Sequence, residues 1–160
     1  ASRTDALTGL LNRGGFYKQL EAALNRSHTQ QEPLAVMLID LNKFKAVNDN
    51  YGHAAGDATL CEVARRLRDL STHGWICGRL GGDEFAVICP GLEAEKLASV
   101  AQYLSGILSG VPGGKLVISA SVGFAAAKPQ QTADEVIANA DAMMYSVKGK
   151  HHVSVSHRDR

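Results

Sequence analysis

Residues 34–39 read Leu-Ala-Val-Met-Leu-Ile, an unbroken apolar run closed by Asp40. A strand alternates its side chains between two faces, so a run without polar alternation needs cover on both. Such a strand belongs in the middle of a sheet with helices packed over it, and the flanking sequence supplies them. Residues 16–24 carry apolar side chains at helical spacing, and Leu60, Val63, Ala64, Leu67 and Leu70 mark a second amphipathic helix. Residues 75–80 and 84–89 are short strand-like runs on either side of Gly81-Gly82. Glycine accepts the positive φ of a tight primed turn, so this pair reads as a hairpin. Residues 94–108 read as helix and 116–124 as strand, and Thr132 opens a further helix through a Thr-x-x-Glu box with Glu135. A last short strand is expected at 153–156, with Pro112-Gly113-Gly114 and Lys128-Pro129-Gln130-Gln131 as loops. The order helix, strand, helices, hairpin, helix, strand, helix predicts an α/β (α+β) fold, a mixed central β-sheet flanked by helices.

The chain of 160 residues suits one domain, and 45% hydrophobic residues supply a core for it. Lys and Arg total 17 against 16 for Asp and Glu, a net charge of +1. That balance offers no electrostatic footprint for a nucleic acid or an anionic membrane, so phosphate chemistry here must use local groups. No apolar stretch approaches the roughly 20 residues of a membrane span, and the start, Ala1-Ser2-Arg3-Thr4-Asp5, lacks a signal-peptide pattern. A cytoplasmic domain is expected. Cys61, Cys77 and Cys89 are odd in number, lack CxxC spacing and sit in apolar runs. They read as small buried hydrophobes in a reducing compartment.

Three acidic side chains stand at chain reversals: Asp40 at the end of the buried strand, and Asp83 and Glu84 just after the Gly-Gly turn. Mg²⁺ takes hard oxygen ligands, commonly one or two carboxylates plus substrate phosphates, so Asp40 with Asp83 suits a metal-bound triphosphate. Gly81 and Gly82 would let phosphate approach the backbone closely. The alternative is an ordinary strand end and an ordinary exposed turn. Asp57, in Gly52-His53-Ala54-Ala55-Gly56-Asp57, stands where the next helix is expected to begin, and Asp is a favoured N-cap. It can equally read guanine, whose Watson–Crick edge offers adjacent N–H donors to one carboxylate. Asp141, Tyr145 and Lys148 share one stripe of the last helix. Lys148 there favours the helix dipole or meets a phosphate. The histidines lack metal-helix spacing.

Gly81-Gly82-Asp83-Glu84-Phe85 spells the signature of the GGDEF family, and the likeness extends along nearly the whole chain. Asp5-Ala6-Leu7-Thr8-Gly9-Leu10-Leu11-Asn12-Arg13 resembles the family's DxLTGLxNR opening. Asp40-Leu41-Asn42-Lys43-Phe44-Lys45 with Asn48-Asp49 is similar to its D-x-(D/N)-x-FK-x-x-ND stretch, and Gly52-His53 with Gly56-Asp57 continues it. Arg79 stands before the hairpin as in many members. Residues 119–123 resemble the SxG strand, and Ala140-Asp141 with Tyr145 and Lys148 resembles the closing ADxxLYxAK helix.

The resemblance implies a fold like adenylyl cyclase catalytic cores and polymerase palms, and a diguanylate cyclase that condenses two GTP into cyclic di-GMP with release of pyrophosphate. It implies two Mg²⁺ per active site, or Mn²⁺ in their place, held by Asp40 and Asp83 with the Leu41 carbonyl. Glu84 would be an active-site acid. Asn48 and Asp57 would read guanine. Phe44, Lys45, Gly81, Gly82 and Lys148 would lie along the substrate's phosphates. Each domain would hold one GTP, so catalysis implies a homodimer. Residues 1–160 are then a single catalytic domain, the C-terminal part of a longer protein with an upstream sensory or dimerising segment, which can itself be membrane-anchored. The sequence departs from the family after Lys148, where His152 stands in place of a phosphate-contacting Arg. Arg is a permanent planar fork and His is mostly neutral at pH 7. The alternative that this favours is a degenerate domain that binds GTP or cyclic di-GMP as a regulatory module. The family's RxxD inhibitory site falls, counting back nine and six residues from Gly81, on Thr72 and Trp75, so no inhibitory site is expected. Arg66-Leu67-Arg68-Asp69 also spells RxxD but lies six residues too early.

Overall fold

A computed structural model describes residues 2–148. The apolar run becomes β1 (Leu34–Asn42), the middle strand of a five-stranded sheet. The others are β2 (Ile76–Gly81), β3 (Glu84–Pro90), β4 (Val111–Gly113) and β5 (Leu116–Ala126), in the order β2-β3-β1-β5-β4. Helices α1 (Arg13–Gln30), α2 (Phe44–Tyr51), α3 (His53–Arg68), α4 (Leu97–Ile107) and α5 (Ala133–Lys148) complete the order.

Every residue of β1 from Leu34 to Leu41 is buried, as double-sided cover requires. Alternate side chains divide between two cores. Met37, Ile39 and Leu41 join Phe85 and Val87 beneath Val63 and Leu67 of α3 and Leu104 of α4. Val36 and Leu38 join Ala86 and Ile88 beneath Phe16 and Leu20 of α1 and Val136, Ala140 and Met144 of α5. Each such side chain contributes roughly 1.5–3 kcal/mol by leaving water, so a one-residue slip of β1 would exchange the two cores and is strongly disfavoured. α5 lies so close to β5 that a Cβ on Gly123 would strike the Ala140 carbonyl and the Met144 backbone.

The helix-flanked sheet is the expected architecture, and the capping box is present. Thr132 N–H donates to Glu135 Oε1 at 2.8 Å, and Glu135 N–H to Thr132 Oγ1 at 3.2 Å. The mixed character of the sheet is confined to one bridge. All pairs among the five strands are antiparallel, and the parallel element is the isolated pairing of Leu11 with Gly78. Of the expected loop Pro112-Gly113-Gly114, the first two residues belong instead to edge strand β4, in which Val111–Gly113 pairs with Leu116–Ile118. Proline is tolerated there because an edge strand leaves one side of its backbone unpaired. The expected strand at 153–156 lies outside the described residues. No helix among the described residues is long and apolar enough to cross a membrane.

Candidate active site

The strand register decides which acidic residues meet. Asp40 of β1 lies directly opposite Glu84 of β3, and the next residue, Leu41, donates its N–H to the Asp83 carbonyl at 3.2 Å. On β1's other side, Asp40 is opposite Ser121 of β5. Residues facing one another across an antiparallel ladder point to the same face, so Glu84, Asp40 and Ser121 form a polar row. That row continues the face of Val36 and Leu38 toward α1 and α5. Asp40 is 2% exposed, while Asp83 and Glu84 are half-buried.

Among the described residues, no group of three or more His, Cys, Asp or Glu is assembled as a metal cage. The register brings hard oxygen donors to one strand end instead: Asp40 stands opposite Glu84, and the backbones of Leu41 and Asp83 are joined. Such a set fits Mg²⁺ or Mn²⁺ arriving with phosphate oxygens, and not a metal that the protein cages alone.

The turn that presents Asp83 is held differently from expectation. Neither Gly81 nor Gly82 takes a left-handed φ, and a Cβ on either would meet nothing within 4 Å. The glycines therefore leave bare backbone on the open side, and the turn is fastened by Arg79. Its Nε and Nη2 donate to the Gly82 carbonyl at 3.0 and 2.9 Å, and its Nη1 donates to both Asp5 oxygens at 3.1 and 3.2 Å. Asp5 also accepts from the Thr8 N–H at 2.9 Å and its hydroxyl at 2.7 Å. Burial pushes the Asp5 pKa up, but the Thr8 bonds and the Arg79 guanidinium prevail and hold it below 3.8. Arg68 donates to the Thr8 carbonyl. The opening segment is thus part of the hairpin's support. Sequence reasoning missed this tie, whose only trace was a charged residue in each of two distant motifs.

At the other side of β1's end, Lys43 has a left-handed backbone (φ 70°) and leads into α2 with no side-chain cap. The first-turn N–H groups of α2 are therefore not capped by a side chain, and a helix start of this kind favours an anion. Phe44 is half-buried there, whereas the exposed Lys45 pairs with Asp49 of its own helix at 2.9 Å. That exposed pair holds Lys45 weakly. Asn48 is half-buried, with its side chain over Gly56, where a Cβ would collide with Asn48 Oδ1 and crowd the Phe44 ring. Gly56, one residue before Asp57 in the chain, thereby lets α2 pack closely against α3 at Asn48. The N-cap of α3 is Gly52, not Asp57, which lies exposed in the second turn. Capping therefore does not explain Asp57.

Asp141 and Tyr145 are half-buried on α5. Burial raises the Tyr17 phenol pKa, and the charges of Asp134, Glu84 and Asp141 raise it further against the opposing pull of Arg13. Tyr17 of α1 thus senses both Glu84 of the acidic row and Asp141 of α5. Lys148 is the last residue of α5, and His152 lies outside the described residues. Burial raises the Cys77 thiol pKa to about 12 and raises Cys89 as well; Cys89 is fully buried, as expected of an apolar cysteine, whereas Cys77 and Cys61 are half-buried.

A family model described as the diguanylate cyclase GGDEF domain matches residues 2–153. The chain belongs to the GGDEF family. It is 42% identical over 150 residues to an uncharacterized signaling protein of Caulobacter vibrioides, a match covering 90% of this chain and 18% of that protein. It is 34% identical to diguanylate cyclase DgcP of Escherichia coli K12, over 92% of this chain and 45% of DgcP. The chain therefore spans less than half of either relative. The GGDEF domain of DgcB from Caulobacter crescentus, solved in complex with c-di-GMP, superposes with a TM-score of 0.86 at 29% identity, covering 94% of this chain and 89% of that one.

In this GGDEF domain Thr72 and Trp75, the positions counted back from Gly81, make local contacts. Thr72 donates to the Asp69 carbonyl at 3.0 Å, and Trp75 is half-buried against the core with its ring 5.1 Å from that of His73. Arg66 of the early RxxD donates to Glu62 at 2.8 Å and to the carbonyls of Ile107 and Ser109 at 3.0 and 3.2 Å.

Proposed function

We propose that this domain is a diguanylate cyclase, which joins two GTP molecules into cyclic di-GMP and releases two pyrophosphates. The observation that carries the reading is the register setting Asp40 opposite Glu84 and tying Leu41 to Asp83. It explains why acidic residues far apart in sequence belong to one chemical unit. Asp40, Asp83 and the Leu41 carbonyl would hold Mg²⁺ or Mn²⁺, which supplies charge neutralisation for the attacking and leaving oxygens of phosphoryl transfer.

The rest of the site binds and orients. Asp57 accepts the adjacent N–H donors of guanine and Asn48 completes the base contact, a pair that adenine cannot satisfy. The uncapped start of α2 at Phe44 and Lys45 and the bare backbone of Gly81 and Gly82 receive the phosphates, and Lys148 adds a cation. Glu84 is the third carboxylate at the reacting centre. Each domain presents one GTP, so the 3′-hydroxyl of one attacks the α-phosphorus of the other only when two copies face each other. An upstream segment of a longer protein would control that pairing. With Thr72 and Trp75 at the inhibitory positions, product feedback through an RxxD site is absent.

The test is incubation of the concentrated domain with GTP and Mg²⁺ and identification of the products. Cyclic di-GMP is expected, at a rate rising more than linearly with protein concentration and insensitive to added product. Forced dimers that bind GTP yet form no dinucleotide would overturn the cyclase and leave a nucleotide receptor.

A further inference from the structure

β1 keeps its β3 partner only as far as Asp40, whereas pairing with β5 continues to Asn42. Beyond Asp40, the strand end is held by the Leu41 to Asp83 bond and by β5. There the Asn42 side chain spends both halves of its amide on one neighbour. Its Nδ2 donates to Ser119 Oγ at 3.0 Å, and its Oδ1 accepts from Ser121 Oγ at 3.1 Å. Ser119 is Asn42's own cross-strand partner, and Ser121 is Asp40's. The residue after Asn42 is Lys43, whose left-handed backbone is disfavoured for any side chain with a Cβ and has no side-chain cap to offset it. A strained turn persists only where its surroundings over-determine it.

We propose that Asn42, Ser119 and Ser121 form a positioning clasp. By pinning the last residue of β1 to β5, it holds Lys43 left-handed and keeps the Asp40 carboxylate, the Leu41 carbonyl and the start of α2 in one orientation for a nucleoside triphosphate. The inference rests on the cyclase reading for the identity of the ligand, but its own claim concerns binding. None of the three residues contacts the reacting atoms in this account. An amide suits the place, since it can donate to one serine while accepting from the other.

The test uses α,β-methylene GTP, whose bridge blocks turnover, with calorimetric titration in the presence and absence of Mg²⁺. Ser121→Ala and Asn42→Leu should each weaken Mg²⁺-dependent binding by roughly three- to ten-fold, the worth of a hydrogen bond. Ser121→Thr, which keeps the hydroxyl, should restore it. Ser119→Ala, at an exposed position, should weaken binding by about two-fold or more, and serves if the other variants fold poorly. A purely structural role predicts lower melting temperatures with unchanged affinity of the folded fraction, and that result overturns the clasp. Wild-type protein that binds the analogue, with weakened variants but no dinucleotide from GTP, overturns the cyclase reading alone. Wild-type protein that fails to bind the analogue overturns both.

Discussion

At Leu34, β1 enters the sheet beside a cleft of about 950 Å³ between the end of α1 and residues 127–133. At Asn42, roughly 26 Å further along at the rise of an extended strand, it leaves beside Asp40, Asp83 and Glu84. Both ends carry charge, and the cleft is lined by Glu21, Glu32, His28 and Lys128 among others. Both also include left-handed residues other than glycine: Gln31 and Gln130 at the cleft, Lys43 at the acidic end. The difference lies in how these are used. Gln31 ends α1 with its N–H on the Ser27 carbonyl, an ordinary helix stop, and Gln130 closes a turn in which Gln131 N–H reaches the Lys128 carbonyl at 3.2 Å. Lys43 instead opens a helix, one residue after the clasp. Room and charge are abundant at the first end, but only at the second does a strand register bring acidic residues from two chain segments together.

The sharpest way to break this comparison is to remove one carboxylate from each end. Asp83→Ala should lower dinucleotide formation by roughly 10²-fold or more, as loss of a preorganised charged group in the transition state does. Glu32→Ala at the cleft should leave the rate unchanged. Equal losses in the two variants would show that the acidic end holds no privileged chemistry.

A smaller effect should follow from loosening the hairpin without touching its acids. Arg79→Ala removes the tie from Gly82 to Asp5 and should cost about 1.5–3 kcal/mol of stability, the range for hydrogen bonds to charged groups. It should lower kcat more than it raises KM, because Asp83 is misplaced while the base contact is intact. The Asp5 carboxyl is held below its ordinary 3.8, so its stabilising contribution is complete above about pH 4 and is lost as pH falls through the lowered value. Acid unfolding followed in wild type and Asp5→Asn should therefore differ above pH 4 and converge below it. Curves that stay parallel throughout would deny the tie.

Asp57→Ala tests the base contact alone. It should cost about 1.5–3 kcal/mol in GTP binding and erase the preference over ATP. Because Gly52 caps α3, the melting temperature should scarcely move. Unchanged nucleotide preference together with a lower melting temperature would return Asp57 to a structural role.

What the sequence disclosed follows the range of the interactions. β1 was legible because double-sided burial leaves an unbroken apolar run, and the start of α5 because Thr132 and Glu135 interact within one turn. The capping alternative for Asp57 fails because α3 begins earlier, with Gly52 as its N-cap, and Gly56 inside the helix lets Asn48 lie against it. β4 hid behind Pro112, which signals a loop unless the strand is known to be an edge. Asp5 with Arg79, and Asn42 with Ser119 and Ser121, are joined across 74, 77 and 79 residues, and no local pattern reports such pairs. The acidic residues were recognisable as a motif, but their pairing in one row depends on the register.

The smallest effect should come from the left-handed residues themselves. Glycine relieves the Cβ strain of a left-handed backbone, worth about 1–2 kcal/mol, but loses roughly 0.5–1 kcal/mol through its freer unfolded chain. Gln130→Gly should therefore stabilise the domain by up to about 1 kcal/mol. Its turn keeps the backbone bond from Gln131 to Lys128 but includes one from Lys128 N–H to the Gln131 side chain, which glycine at 130 does not disturb. Nucleotide binding should be unchanged. Lys43→Gly should gain similar stability by the same arithmetic, yet there the gain comes from freeing a turn whose fixed shape serves the ligand. Glycine at 43 can adopt backbone angles that turn the start of α2 away, so affinity for a GTP analogue should fall while the melting temperature rises. Denaturant unfolding and analogue titration of both variants separate the cases. If both bind as wild type does, the left-handed residue at the acidic end is as incidental as the one at the cleft.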